Sequence, residues 1–301
     1  MPTTTTTTAT ARTRRTTIDL AAALADTQPR DLLLLRLLEA HQVLSTSQIH
    51  TLLFPSLRVC QKRLARLRAL GLVASFRRRD HAGRRQPSRW VLGPAGVRRQ
   101  AITNGEPVPT DRTMRARRDR IVASPTLSHR LGVNQFFVDL IAYARSRPGV
   151  ELVRWWPEER ATTLLRPVVP DGHGAWQVGD QVWPWFVEFD TGSMDLPRLV
   201  DRMAAYDQAA RANKRYWPVL WWLHSPVRER NLHRELAGRS GLCPFATAAR
   251  TPDGPGPGGA VWRLAGAGEQ RWELHQLGEP TDKISGHWSD DYTDHQPQHR
   301  R

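Results

Sequence analysis

Between Arg30 and Arg79 the apolar residues recur with helical spacing, in three short blocks divided by recognisable stops. Leu32–Leu38 predicts a first, apolar helix. Ser45 opens a second that runs to Phe54 and is stopped by Pro55. A third is predicted over Leu57–Leu70 and ends at Gly71. On it Leu57, Cys60, Leu64 and Leu67 share one side, while Arg58, Gln61, Lys62 and Arg66 project from the other. Then the period changes: Leu72-Val73 leads into Arg77, Arg78 and Arg79, a hairpin-like turn at Asp80–Gly83, then Arg84 and Arg85, and Arg89–Leu92 returns as a short strand.

Three helices followed by a strand, a basic tip and a returning strand make the pattern of a winged helix-turn-helix. In that arrangement the third helix presents cations and amides to the major groove, here Arg58, Gln61, Lys62 and Arg66. The tip arginines Arg77, Arg78, Arg79, Arg84 and Arg85 are placed for phosphates. The expected partner is double-stranded DNA.

Further on, Pro94–Ile102 reads as a short closing helix, Thr103–Thr113 as linker, and Met114–Ile121 as a basic helical segment, either an extension of the DNA footprint or a solvated connector. The second half alternates differently. Gln135–Arg147 is an amphipathic helix built on Phe136, Phe137, Leu140, Ile141 and Ala144, with His129 just ahead of it as a capping or hydrogen-bonded structural histidine, the alternative being a catalytic base. Val150–Trp156 and Arg166–Gly172 are predicted strands, the second ending at the acid Asp171. Gln181–Phe189 is a third, apolar on both faces and therefore central. Leu196–Ala212 is a helix, Tyr216–Leu223 a strand, Pro226–Ala237 a last helix, and Val261–Leu264 and Arg271–Leu274 are edge strands. The fold class expected is α/β (α+β): an N-terminal winged helix and then a mixed-sheet α/β domain. The boundaries are a Thr/Arg-rich disordered tail at 1–27, the winged helix at 28–103, a basic linker at 104–126, the second domain at 127–280 and a tail at 281–301.

Charge sharpens this division. Residues 1–130 carry 24 Lys/Arg against 8 Asp/Glu, whereas residues 131–301 carry 20 against 21. The excess behind the net charge of +15 thus sits around the predicted winged helix. Two cysteines, Cys60 and Cys243, make neither a disulfide framework nor a zinc set. No apolar run is long enough to span a membrane and the Thr-rich start lacks the apolar centre of a secretory signal, so a cytoplasmic chain is expected. No nucleophile-elbow order and no Gly-rich phosphate loop appears. Trp155, Trp156, Trp183, Trp185, Trp221 and Trp222 fall in predicted strands and read as sheet packing.

The chemistry of the second half lies in Pro170-Asp171 followed by Glu188-Phe189-Asp190. Carboxylates brought together from neighbouring strands can hold Mg²⁺ against a phosphodiester. This order of elements resembles the PD-(D/E)xK, restriction-endonuclease-like fold. The resemblance gives Asp171 and Glu188 the metal-binding roles, with Asp190 standing where the family has a lysine. Arg198 and Arg202 on the next helix are candidate phosphate clamps, since arginine holds its proton too firmly to act as a base. The alternative is that Asp171 is a turn residue and that Glu188 and Asp190 pair with nearby arginines.

Leu44–Gln48 with Phe54-Pro55, Leu67–Val73, Leu127–Asn134, Pro170–Gly172, Phe186–Gly192 and Leu199–Tyr206 together resemble the replication-relaxation proteins of actinobacterial plasmids and integrative elements. The resemblance covers most of residues 30–240. It implies DNA binding in replication, maintenance or mobilisation of such an element, with other replication or mobilisation proteins as further partners and no membrane. Two other readings stay open: a Mg²⁺-dependent nickase or endonuclease using Asp171, Glu188 and Asp190, and a ligand-sensing or dimeric transcription factor.

Overall fold

The computed structural model describes residues 20–79, 82–84, 86–237, 241, 243–281 and 287–289. Arg85, the Thr-rich start and most of the stretch after Thr281 lie outside them. The described residues form an α+β structure with two sheets, one of three strands and one of six. None of their helices is long and apolar enough to cross a membrane.

Helix α1 (Leu20–Ala25) precedes α2 (Pro29–His41), whose first position is a proline, preset for a helical start. Strand β1 (Leu44–Ser45) leads into α3 (Thr46–Leu53) through a reciprocal cap: Gln48 N donates to Ser45 Oγ at 3.2 Å and Ser45 N to Gln48 Oε1 at 2.8 Å. Ser56 caps α4 (Leu57–Ala69). Gly71, at φ 69°, then turns the chain into β2 (Val73–Phe76), and β3 (Arg89–Leu92) pairs antiparallel with both β1 and β2. Leu34, Leu35, Leu37 and Leu38 of α2 pack with Ile49, Cys60, Leu64, Leu67, Leu72 and Trp90. Leu57 does not join them. It is 46% exposed, because at the first helical position its side chain leans past the end of the packed face.

Helix α5 (Pro94–Thr103) closes this half as expected. The expected basic helical segment at Met114–Ile121 is present and begins three residues earlier: α6 (Asp111–Ala123), capped by Thr110, buries Met114 and Ile121. Ile121 packs with Val43, Val91 and Leu127, against Ala74 and Phe76 of β2. Helix α7 (Leu127–Arg145) starts well before Gln135, so His129 lies inside it rather than ahead of it.

The larger sheet takes the order β4-β5-β6-β7-β8-β9. Its strands are β4 (Val150–Pro157), β5 (Gly172–Val178), β6 (Gln181–Phe189), β7 (Val219–Leu223), β8 (Phe245–Ala249) and β9 (Arg263–Leu264). β4, β5 and β6 form an antiparallel meander; β7 lies parallel to β6 and β8 parallel to β7. Helix α8 (Glu158–Thr162) follows β4, α9 (Leu196–Asn213) joins β6 to β7, and α10 (Pro226–Glu235) joins β7 to β8. Arg166–Pro170 is not a strand. Its two prolines cannot donate to a ladder, and the strand begins only at Gly172. Nor is Arg271–Leu274: only Trp272 makes a bridge, to Trp262. As predicted, β6 is central and buried on both faces. Trp185 and Val187 pack toward Phe136 and Phe137 of α7, and Phe186 packs with Leu199 and Met203 of α9.

The two halves share one apolar cluster, which runs from α2 through α7 to β4. Polar ties reinforce it: Asn134 Nδ2 donates to Val43 O at 2.8 Å and Gln48 Nε2 to Leu131 O at 2.9 Å. Trp288, in the stretch read as a tail, is buried with its ring 5.9 Å from that of Trp155.

Candidate functional site

Two groups of residues carry chemistry. The first is the front of α4. With Cys60, Leu64 and Leu67 fully buried behind it, Arg58, Gln61, Lys62, Ala65 and Arg66 are exposed. Arg58 and Lys62 have no ion-pair or hydrogen-bond partner among the described residues. Arg66 meets Asp26 at 2.8 Å in an exposed pair, while its neighbour Arg63 is drawn inward to buried Asp31, with Nη2 2.7 Å from Oδ2. Buried thiols complete the picture: burial pushes Cys60 and Cys243 up to about 12, which removes both as nucleophiles near neutral pH.

The arginines of the β2–β3 connection divide. Arg77 donates from Nε to Ser88 Oγ at 2.8 Å and Arg79 from Nη1 to Gly83 O at 2.8 Å; both are exposed, as is Arg84. Arg78 turns inward and donates to the carbonyls of Val122 and Ser124, where α6 ends. A guanidinium satisfies the orphan carbonyls of a helix C-terminus well. It thereby fastens the hairpin to α6.

The second group gathers where β5 begins and β6 ends. Asp171 Oδ2 accepts from Phe189 N at 2.8 Å and lies 3.0 Å from His129 Nε2. That hydrogen bond raises the pKa of His129 and favours the imidazolium. Glu188 Oε1 lies 2.6 Å from Arg202 Nη2 and also accepts from the Tyr206 hydroxyl. Burial and the neighbouring Asp171 carboxylate push Glu188 up to about 7, against the pull of Arg202 and Tyr206. Arg202 stays cationic, since Glu188 more than offsets its burial.

Asp190 is separate. Arg228 grips it at both oxygens, Nε to Oδ2 at 2.6 Å and Nη2 to Oδ1 at 2.9 Å. Arg250 donates to the Asp190 carbonyl at 2.7 Å and lies 4.1 Å over the Phe189 ring. Arg198 joins neither carboxylate; its side chain is 78% exposed, with Nε 3.6 Å from Asp195. Sequence reading therefore found Asp171, Glu188 and Arg202 but not Tyr206 or Arg228. Tyr206 was in reach, one helical turn after Arg202. Arg228 was not, because α9 and β7 separate it from Asp190 in the chain.

These residues do not fit a bound Mg²⁺. A hard divalent ion needs carboxylate oxygens free to face it, yet Asp171, Glu188 and Asp190 each already hold a basic side chain. No group of three or more His, Cys, Asp or Glu among the described residues is placed to hold a metal ion.

No curated protein and no solved structure matches the chain. The model of the replication-relaxation family matches residues 35–220, from α2 into β7, and so takes in both α4 and the Asp171–Glu188 cluster. That span is more than half of the sequence, and the chain belongs to the replication-relaxation family.

Proposed function

We propose that residues 28–103 are a winged helix that binds duplex DNA, and that the protein acts through it in replication, maintenance or mobilisation of a plasmid or integrative element. The observation that carries this reading is the front of α4, where Arg58 and Lys62 stand exposed and unpaired on a helix whose back is fully docked. Their guanidinium and ammonium groups are therefore open to an anionic partner, with no acid among the described residues to displace first. Small Ala65 lies between them and Arg66 and lets the helix approach a groove closely. Arg77, Arg79 and Arg84 on the hairpin supply phosphate contacts, with Arg78 positioning the wing on α6.

The second half has the order helix, antiparallel meander, helix, parallel strand. This order supports a restriction-endonuclease-like domain, read here as a platform for DNA or for other replication or mobilisation proteins. Fluorescence anisotropy with labelled duplex tests the assignment. Arg58→Ala/Lys62→Ala should weaken binding by about 10-fold or more, on the order of 1–3 kcal/mol for each base-reading side chain. Unchanged affinity would overturn the winged-helix reading.

A further inference from the structure

We propose that Arg202 is the built-in cation of the Asp171–Glu188 site: its guanidinium occupies the place a divalent metal ion would need, and the site takes up metal only when that guanidinium is removed. This goes beyond the DNA-binding reading and does not depend on it.

The geometry holds the guanidinium from two sides. Arg202 Nη2 is 2.6 Å from Glu188 Oε1 and 2.8 Å from Val169 O, two residues before Asp171 in the chain. The cation is thus clamped between the segment that delivers one carboxylate and the strand that delivers the other. Tyr206, one turn further along α9, donates to the same Glu188 oxygen and fixes the carboxylate toward the helix. Both carboxylates are already engaged by side chains of the protein, Asp171 by His129 at 3.0 Å and Glu188 by Arg202 at 2.6 Å. Arg202 Nε is buried with no acceptor among the described residues, so the guanidinium is placed by Glu188 and Val169 and not by a full set of its own partners.

A metal ion entering here would have to displace a fixed cation from its carboxylate and then sit beside it. Removing one partner of a buried ion pair leaves the other charge uncompensated, and Asp171, held at Oδ2 by His129 and Phe189 N, keeps Oδ1 to share an entering divalent ion with Glu188. Arginine suits this role better than lysine, since it keeps its charge when half buried and grips carbonyl and carboxylate together.

Mn²⁺ titration of the full chain, followed by electron paramagnetic resonance at pH 8, tests the proposal. Wild type should show no saturable site. Arg202→Ala should gain one, and Glu188→Gln in that background should abolish it. Saturable binding by wild type that is lost in Asp171→Asn/Glu188→Gln would overturn the proposal. So would a folded Arg202→Ala protein that takes up no Mn²⁺. If the alanine variant does not fold, Arg202→Gln, which keeps the length and a donor, replaces it under the same two criteria. Should neither variant fold, the wild-type titration alone decides: uptake overturns the proposal and its absence supports it.

Discussion

The imidazole of His41 stacks on the indole of Trp155, ring centroids 4.0 Å apart and planes 22° from parallel. One ring closes α2 in the cationic half and the other lies in β4 of the large sheet. Phe137 covers the same indole, stacked at 5.4 Å. The two halves are therefore one packed body at this point, and they should unfold together. Melting curves from far-ultraviolet circular dichroism and from tryptophan fluorescence should coincide. His41→Ala should lower stability by about 2–4 kcal/mol, since it empties a fully packed aromatic site. Two separated transitions would show that the shared cluster does not couple the halves.

The free cations of α4 should reveal themselves through salt. Each phosphate neutralised by a side chain contributes about −0.9 to the slope of log K against log salt. If Arg58 and Lys62 read bases, Arg58→Ala/Lys62→Ala changes sequence preference and leaves the slope nearly intact. If they touch phosphate, the slope falls by roughly 2 and preference is unchanged. Arg78→Ala should behave unlike either: its side chain serves the end of α6, so the loss should appear as lower thermal stability. A slope change of the same size as for Arg77→Ala would instead put Arg78 on DNA.

Close packing of the sheet against α7 gives a third expectation. A Cβ added at Gly174 would come within 2.1 Å of the Trp185 ring, and one at Gly132 within 2.2 Å of the Phe189 ring. Both rings are held by neighbours, so neither can swing aside. Gly174→Ala and Gly132→Ala should each destabilise by about 1–3 kcal/mol through overpacking. The Gly132 change pushes on the ring of Phe189, whose backbone N–H holds Asp171, so it should also disturb that carboxylate. Urea denaturation of the two variants measures the cost, and a wild-type midpoint for both would mean that the strands yield freely.

Where chain-local physics decides an element, the sequence alone was enough. Ser45 and Gln48 cap α3 reciprocally, Ser56 caps α4, Gly71 turns out of it, and β6 spans Gln181–Phe189 as the apolar run predicts. Strand β5 was hidden because His173-Gly-Ala-Trp-Gln-Val has few β-branched residues and a glycine, which only the approach of Trp185 explains. A cue was present in Gly179-Asp180, a two-residue link with Gly179 at φ 58° between paired Val178 and Gln181. The early start of α7 was masked by Ser128 and Gly132, poor helix formers that tertiary packing overrides. The acids themselves could be named from sequence. Which base each one holds could not, because Arg228 and His129 reach Asp190 and Asp171 only through the folded sheet.

Acid should destabilise the protein, chiefly through its fully buried titratable groups. Burial drives His41 and His173 down to about 3, from an ordinary value of 6.5. Above 6.5 both are neutral folded or unfolded, and they contribute no slope. Below it the unfolded chain takes up their protons and the folded chain does not, so stability falls by about 1.4 kcal/mol per pH unit for each histidine. Glu188 opposes them. Its folded value of about 7 lies above the ordinary 4.5, so between these limits the folded carboxyl keeps a proton that the unfolded one has lost, and acid stabilises. From pH 6.5 to 4.5 these two losses meet one gain, and half-buried His233, its pKa also lowered by burial, adds to the losses, so the net slope is that of one histidine or more. His41→Phe keeps a ring against Trp155 and removes one titration, so its slope across that window should be smaller than that of the wild type by about 1.4 kcal/mol per pH unit. Urea unfolding at pH 6.5, 5.5 and 4.5 compares the two proteins. A wild-type slope retained in His41→Phe would mean that His41 is not held neutral in the fold.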